Sequence, residues 1–306
     1  MVQVKISVII PVKNEALTIG ACLERVFDQR NGSELEVVVI DSGSTDGTLE
    51  ILKKFDIKLT QIPPHEFHHG RTRNLGASLA SGHILVLLTA DAVPSSSDWL
   101  SNLTAPLLTN TGIAASYGRQ IPKDDASYTI KASLATIYPD EPMVKRLSDL
   151  PTTGLRTYHF SNVCSAFLKE VWQEVRFPED LGICEDVGIA KRILEKGYLI
   201  AYVPTAVVRH SHNYGVQETL RRYFDIGVAF RRMGIIGNGS KGVGLVTGGM
   251  KHVVSVAKSA MREGGIGTCA TTIAMNAAKS VGLALGRIEP VIPMPIKKRI
   301  SLYSVF

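Results

Sequence analysis

Three segments that could do chemistry each follow a short apolar, mostly β-branched run. Pro11-Val-Lys-Asn14-Glu15 follows Val4–Ile10, Asp41-Ser42-Gly-Ser44 follows Leu35–Ile40, and Thr89-Ala-Asp91 follows His83–Leu88. A carboxylate such as Asp41 can accept from a base imide or a ribose hydroxyl. The N–H groups of its turn and of the next helix start favour an anion. Asp91, at a neighbouring acidic tip, suits a hard cation that bridges a diphosphate. Plainer readings stand beside these. Asp46, Ser44 or Thr45 caps a helix, and Asp91 forms a turn before Pro94. For Asp46 the cap is preferred, and for Asp41 the ligand contact.

Two later segments add groups of other kinds. Glu185-Asp186 opens a helix, where acids are common for electrostatic reasons alone; a general-base role requires that this helix start face the same cleft. His210-Ser-His212 could supply a neutral imidazole to a metal near Asp91, with His210 the first choice and His212 in reserve. His65-Glu66-Phe67-His68-His69 spells HExxH, but Pro63-Pro64 precede it and Gly70 follows. No helix that would put both histidines on one face fits there, so a zinc site is not expected. The segment reads instead as a loop leading to Arg71 and Arg73, which could meet a phosphate.

These groups need a scaffold. The strands above alternate with helical patterns at Ile19–Phe27, Thr45–Phe55 and Arg71–Ala80, and Ile57–Ile62 adds a short strand. That rhythm predicts a parallel α/β sheet, which binds ligands at the carboxyl ends of its strands. Strands are further expected at Ile113–Gly118, Tyr158–Leu168 and Tyr198–Val203, with a loop or short helical insertion over Gln120–Pro151 and a helix over Glu185–Lys196. After His212 only helices are expected: Val216–Met233, Met250–Arg262 and Thr268–Leu285. No GxGxxG follows the first strand, which argues against a dinucleotide-binding domain.

With 306 residues, 45% hydrophobic and 20% charged, the chain is globular rather than disordered. Its four cysteines, Cys22, Cys164, Cys184 and Cys269, are too scattered for a disulfide framework and read as free thiols in a reducing compartment. No basic region precedes the first apolar run, so no secretory signal is expected. Gly264–Gly286 comes nearest to a membrane span but contains Lys279 and is rich in small residues. The net charge of +6 is uneven: residues 216–306 hold thirteen Lys and Arg against four Asp and Glu, a net of +9. Such a segment meets an anionic partner or forms a solvated helical surface. On Met250–Arg262, Lys251, Ser255, Lys258 and Arg262 fall on one helical face and Met250, Val253, Val254, Ala257 and Met261 on the other.

Taken together, these residues resemble a family 2 inverting glycosyltransferase of GT-A fold. The resemblance is carried by Ser7-Val-Ile-Ile-Pro11-Val-Lys-Asn14-Glu15 and Val38-Val-Ile-Asp41-Ser-Gly-Ser-Thr-Asp46-Gly47. Closer similarity to the rhamnosyltransferase branch lies in Glu66–Ala77, Leu88–Pro94, Tyr117–Gln120, Phe160–Ala166 and His210–Tyr214. It implies a mostly parallel sheet flanked by helices over residues 1–215, and a basic helical C-terminal segment, 216–306, that contacts membrane or a second subunit. It implies that Pro11, Asn14, Glu15, Asp41, Ser42, Gly70, Arg71, Asn74 and Asp91 hold a nucleotide-sugar donor. It further implies that Asp91 and His210 bind Mg2+ or Mn2+, that Asp186 is the base, and that Glu185 supports it or meets the acceptor. Thr89 departs from the family's DxD motif by replacing its first acid, which puts metal dependence in question.

The donor so implied is dTDP-β-L-rhamnose. The acceptor is a polyprenyl-diphosphate-linked glycan at the inner face of the plasma membrane, with the enzyme cytoplasmic and peripheral. No nucleic-acid partner is implied, and a homo-oligomer is left open. Alternatives are a UDP-hexose donor, a metal-dependent phosphohydrolase using the histidines and Asp91, and a catalytically weak sugar-nucleotide-binding protein.

Overall fold

A computed structural model describes residues 4–30, 32–236 and 249–303, with the backbone alone for 249–255. In chain order the elements are β1 (Lys5–Val12), α1 (Ile19–Phe27), β2 (Glu34–Asp41), α2 (Thr48–Leu52), β3 (Lys58–Gln61), α3 (His69–Leu79), β4 (Ile84–Leu88), β5 (Val93–Pro94), α4 (Trp99–Thr109) and β6 (Ile113–Ile121). There follow α5 (Tyr128–Ile137), β7 (Met143–Lys145), α6 (Leu150–Thr153), β8 (Cys164–Leu168), α7 (Lys169–Val175), α8 (Glu185–Glu195), β9 (Leu199–Arg209), α9 (Val216–Arg232), α10 (Gly249–Arg287) and α11 (Met294–Ile300).

The strands join in one sheet of order β3-β2-β1-β4-β8-β6-β9-β5, with β7 also on β9. β1, β2, β3, β4, β6 and β9 point one way; β5, β7 and β8 oppose them. The sheet is therefore mostly parallel, as expected, with the antiparallel β8 inserted between β4 and β6. Strand side chains alternate between faces, so each face has its own core. Val8, Ile10, Val37, Val39 and Val86 pack with Leu23 of α1 and with Trp99 and Leu103 of α4. Ile9, Val38, Ile40, Leu85 and Leu87 pack with Ala77 of α3, Trp172 of α7, and Ile189 and Ile193 of α8.

Some expected elements are shorter than the apolar pattern implied. The helix expected from Thr45 begins only at Thr48, after Gly47 at φ 95°. The strand expected over Tyr158–Leu168 is limited to β8, because residues 154–158 form a 3-10 turn. The polar stretch after Gln120 holds α5 and β7. In contrast, β9 runs on to Arg209 through a register shift opposite Gly118/Arg119. That bulge lets β9 reach the end of β6, so that His210 follows directly at the edge.

Gly249–Arg287 is broken at Gly265 (φ 73°, ψ −169°), which separates the two expected helices. Its second arm packs on α9 through glycine. A Cβ on Gly286 would sit 2.3 Å from the Phe224 carbonyl oxygen, and one on Gly227 2.7 Å from that of Leu283. The small-residue run is thus a helix-packing surface, and no helix among the described residues is long and apolar enough to cross a membrane. The side chains of Met250, Lys251, Val253, Val254 and Ser255, on which the amphipathic reading depended, lie outside the described residues. All four cysteines are free, as expected.

Candidate active site

The tips of β1 and β2 are tied together by side chains. Asn14, at φ 54°, accepts through Oδ1 from the Thr45 N–H (2.8 Å), and its own N–H donates to Ser44 Oγ (2.8 Å). Asp46 accepts from the N–H groups of Thr48 and Ala16, both at 3.1 Å; the N-cap position expected of it is taken by Gly47, and from one residue earlier Asp46 braces the two turns. The Glu15 N–H donates to Thr48 Oγ1 (2.8 Å). Ser42 is buried, and its hydroxyl donates to the Val12 carbonyl (3.1 Å). Asp41 is fully buried and accepts from the N–H groups of Gly43 (3.0 Å) and Ser44 (3.2 Å). Its carboxylate fixes the turn that follows it, and half-buried Pro11 lies at the end of the neighbouring strand.

Asp91, His210 and His212 meet beyond the ends of β4 and β9, their ligand-type atoms all within 4.8 Å of one another. Asp91 Oδ2 lies 3.5 Å from His210 Nε2, 3.4 Å from His212 Nε2 and 3.1 Å from Lys123 Nζ. Burial alone would raise the Asp91 carboxyl, but His210, His212 and Lys123 outweigh it and hold the group below its ordinary value. Burial pushes His210 down to about 4, so its ring is neutral at pH 7. Its Nδ1 lies 2.9 Å from Gln120 Oε1 and donates to it, because Gln120 Nε2 is engaged with Ser161 Oγ. The lone pair of Nε2 therefore faces the Asp91 carboxylate. Two lone pairs facing one another, with a second imidazole alongside, fit a divalent cation. Nearby, the buried hydroxyl of Thr89 has no hydrogen-bond partner.

The Glu185-Asp186 pair opens α8 directly after Cys184, a non-glycine residue at φ 65°. Glu185 is buried, lies 3.1 Å from Arg73 Nη1 of α3, and accepts from Asn162 Nδ2 (3.1 Å). Burial would raise its carboxyl, but Arg73, then His69 and Asn162, hold it below the usual value. Asp186 makes no ion pair among the described residues and accepts from the Val187 N–H (2.8 Å). Burial first, and the Glu185 charge second, push its carboxyl up to about 7. Two adjacent acids thus carry different protonation tendencies, the arrangement a general base at neutral pH needs.

The remaining residues expected around the donor divide between surface and scaffold. Arg71 is exposed in the first turn of α3. Arg73, read as a phosphate contact, is instead buried against Glu185. Gly70 is a packing contact: a Cβ there would sit 2.0 Å from the Pro178 carbonyl oxygen. Asn74 is fully engaged internally. It donates to the Phe177 carbonyl and Glu179 Oε1, and accepts from Trp172 Nε1 and the Phe177 N–H. With its capacity filled, it braces α3 against the segment leading to α8. His65 sits in a 3-10 turn and His69 starts α3, so HExxH makes no metal cluster among the described residues.

Lys123 and Arg222 escaped the sequence reading, and Gln120 entered it only as part of Tyr117–Gln120, without a role. Lys123 follows β6, a strand tip left unexamined. Arg222 of α9 donates to Tyr214 OH (2.8 Å) and Tyr303 OH (2.9 Å), and Tyr214 stacks near His212 with ring centroids 5.5 Å apart. Part of the basic C-terminal segment therefore backs the histidines.

The arrangement is that of a GT-A glycosyltransferase. Over 95% of this chain and 88% of the other, it superposes on a mannosyltransferase from Pyrobaculum calidifontis in complex with GDP-Man and Mn2+, with TM-score 0.64 and 20% identity. It also superposes on glucosyl-3-phosphoglycerate synthase from Mycobacterium tuberculosis, in complex with Mn2+, UDP-Glc and phosphoglyceric acid. There the TM-score is 0.54 at 21% identity, over 77% of this chain and 82% of that one. Residues 7–176 match the model for glycosyl transferase family 2, and the chain belongs to that family. It is 35% identical over 227 residues to the O-antigen chain rhamnosyltransferase RfbN of Salmonella typhimurium, covering 73% of this chain and 72% of that protein. To WbaN of Salmonella anatum, of the same description, it is 35% identical over 204 residues, 66% of this chain and 64% of that protein. The chain is a glycosyltransferase.

Proposed function

We propose that the protein transfers L-rhamnose from dTDP-β-L-rhamnose, with inversion, to a hydroxyl of a lipid-linked glycan used in cell-surface polysaccharide. The observation that carries this is the contrast between Asp186, raised to about 7, and the Asp91–His210–His212 group. One can take a proton at neutral pH; the other can gather a cation and a diphosphate. Kinship with two O-antigen rhamnosyltransferases supports rhamnose as the sugar.

In this reading Pro11, Asn14, Glu15, Asp41 and Ser42 hold the nucleoside, and exposed Arg71 meets the diphosphate. Gly70 and Asn74 serve by positioning α3. Asp91, His210 and His212 would hold Mn2+ or Mg2+, which when bound neutralises charge on the leaving diphosphate. Imidazole ligands in the set make Mg2+, which prefers oxygen, the less suited of the two. Asp186 removes the proton of the acceptor hydroxyl as that oxygen attacks the anomeric carbon from the face opposite the phosphate. The C–O bond to phosphate breaks, its electron pair leaves with dTDP, and the β-linked sugar becomes an α-rhamnoside. Glu185, kept ionised by Arg73, raises Asp186 and so improves the base.

The enzyme acts at the inner surface of the plasma membrane. Ile288, Val291, Met294 and Ile296 are exposed around α11, next to exposed Lys298 and Arg299. Apolar area joined to positive charge suits an anionic bilayer. The donor reading is tested by calorimetry with dTDP-β-L-rhamnose, UDP-glucose, UDP-galactose and GDP-mannose, with and without Mn2+. Selective Mn2+-dependent binding of the first is expected; preference for a UDP-hexose reassigns the sugar.

A further inference from the structure

A cavity of about 320 Å³ lies among α5, β7, α8, α9 and α10. That is within the range of small-molecule sites, about 300–1,000 Å³. Asp91, His210 and His212 do not line it, but Val187, the residue after Asp186, does. Its walls include Tyr117, Tyr202, Tyr223 and Phe230, and it also takes in Lys145 and Lys279.

The two lysines are the informative feature. Lys145 is buried; its ammonium donates to the His159 carbonyl and lies 4.7 Å from the centre of the Tyr117 ring. Lys279 donates to Ser133 Oγ (3.5 Å) and lies 5.8 Å from the centre of the Tyr223 ring. Neither makes an ion pair among the described residues; Lys279 is half-buried, and of the cations buried like Lys145, Arg73 is paired with Glu185 and Lys297 with Glu289. Burial pulls Lys145 down to about 7 and lowers Lys279 as well. An ammonium group kept in an aromatic cavity without a carboxylate is a site that an anion completes.

We propose that this cavity binds the acceptor as a glycosyl phosphate, its sugar ring against the tyrosines and its phosphate oxygens on Lys145 and Lys279. The inference rests on the transferase reading and deepens it, since it sets the acceptor against the start of α8, at the residue that follows Asp186, and apart from the donor's cation site. The phosphate comes either from a soluble sugar phosphate or from an isoprenoid diphosphate.

The test is calorimetry on the full chain, saturated with Mn2+ and the nucleoside diphosphate of the best-bound donor, so that the donor cleft is filled. The probes are glucose 1-phosphate, farnesyl diphosphate and, as a neutral control, glucose. Either phosphate probe should bind at least tenfold more tightly than glucose. Binding of farnesyl diphosphate alone identifies a lipid-linked source, and binding of glucose 1-phosphate a soluble one. Lys145→Met and Lys279→Met should each weaken the phosphate probe about tenfold or more, with nucleotide binding unchanged. Ala132→Phe, which narrows the cavity, should do the same without removing a charge. If neither phosphate probe binds to the nucleotide-loaded protein, or if the lysine variants bind as the parent does, the cavity assignment is wrong while the transferase reading stands. If no nucleoside diphosphate binds, the transferase reading fails and this inference with it.

Discussion

Arg73 Nη1 lies 3.1 Å from Glu185 Oε1, with both side chains buried, so the acid adjoining Asp186 is held ionised in an ion pair while Asp186 has no such partner among the described residues. Removing one partner of such a pair leaves an uncompensated buried charge, at a cost of about 3–5 kcal/mol. Arg73→Met should therefore lose about that much in urea denaturation, and the double variant Arg73→Met/Glu185→Leu should recover a good part of it. A double variant no more stable than the single one would show that Glu185 is stabilised by something other than Arg73.

Asp186→Asn should lower transfer on the order of 10²–10⁴-fold and leave donor binding intact. In the parent enzyme kcat/KM should rise with pH through about 7 and then level, because Asp186 must be ionised to accept a proton. The linkage to stability has the opposite sign. With the carboxyl raised from 3.8 to about 7, the folded state binds the extra proton, so stability falls as pH climbs through that window. Asp186→Asn should accordingly melt higher than the parent at pH 8, and a lower melting temperature there would contradict the raised value.

Asp91→Ala, His210→Ala and His212→Ala should each weaken Mn2+-dependent nucleotide binding. Lys123→Met should strengthen Mn2+ binding alone, since Lys123 occupies the same Asp91 oxygen from 3.1 Å. His65→Ala and His69→Ala should leave metal content at background by atomic absorption. Stoichiometric zinc lost on changing either histidine would restore the HExxH site.

Gly227→Val should force α9 from the Leu283 carbonyl and cost about 1–3 kcal/mol. At about 2–4 °C per kcal/mol this is a fall of several degrees in Tm. An unchanged Tm would mean that the two helices move apart freely.

The protein should float with anionic vesicles at low salt, and this should be lost at high salt and in Lys298→Glu/Arg299→Glu. Sedimentation with the pellet under all conditions would dismiss the bilayer as a partner.

The sheet was legible because buried strands leave continuous runs such as Val4–Ile10 and Leu35–Ile40, each ending in a polar turn. Asp91, His210 and Asp186 were legible for the same reason, since they stand at element ends. What could not be read were partners chosen across the chain. Arg73 looks like a surface cation until α8 supplies Glu185, 112 positions away. Asn74 and Gly70 look like ligand contacts because packing against Pro178 and Phe177 leaves no local pattern. Gln120 belongs to a strand whose last residues are too polar to announce it, and Lys123 stands just past that strand's end.

Tyr303 takes a hydrogen bond from Arg222, stands edge-on to His69 at 6.1 Å, and offers its N–H to Asp225 at 2.9 Å. The surroundings of His69 and Arg222 are thus closed by a residue some ninety positions beyond the last of the sheet strands. During synthesis the α/β layers can form as soon as β9 emerges, but Tyr214, Arg222 and His69 acquire their final neighbour only after residue 303 has cleared the ribosome. Assembly of the sheet and maturation of the site are therefore separate events in the life of each molecule. A nascent chain halted before that point would hold a formed sheet and an unfinished candidate site.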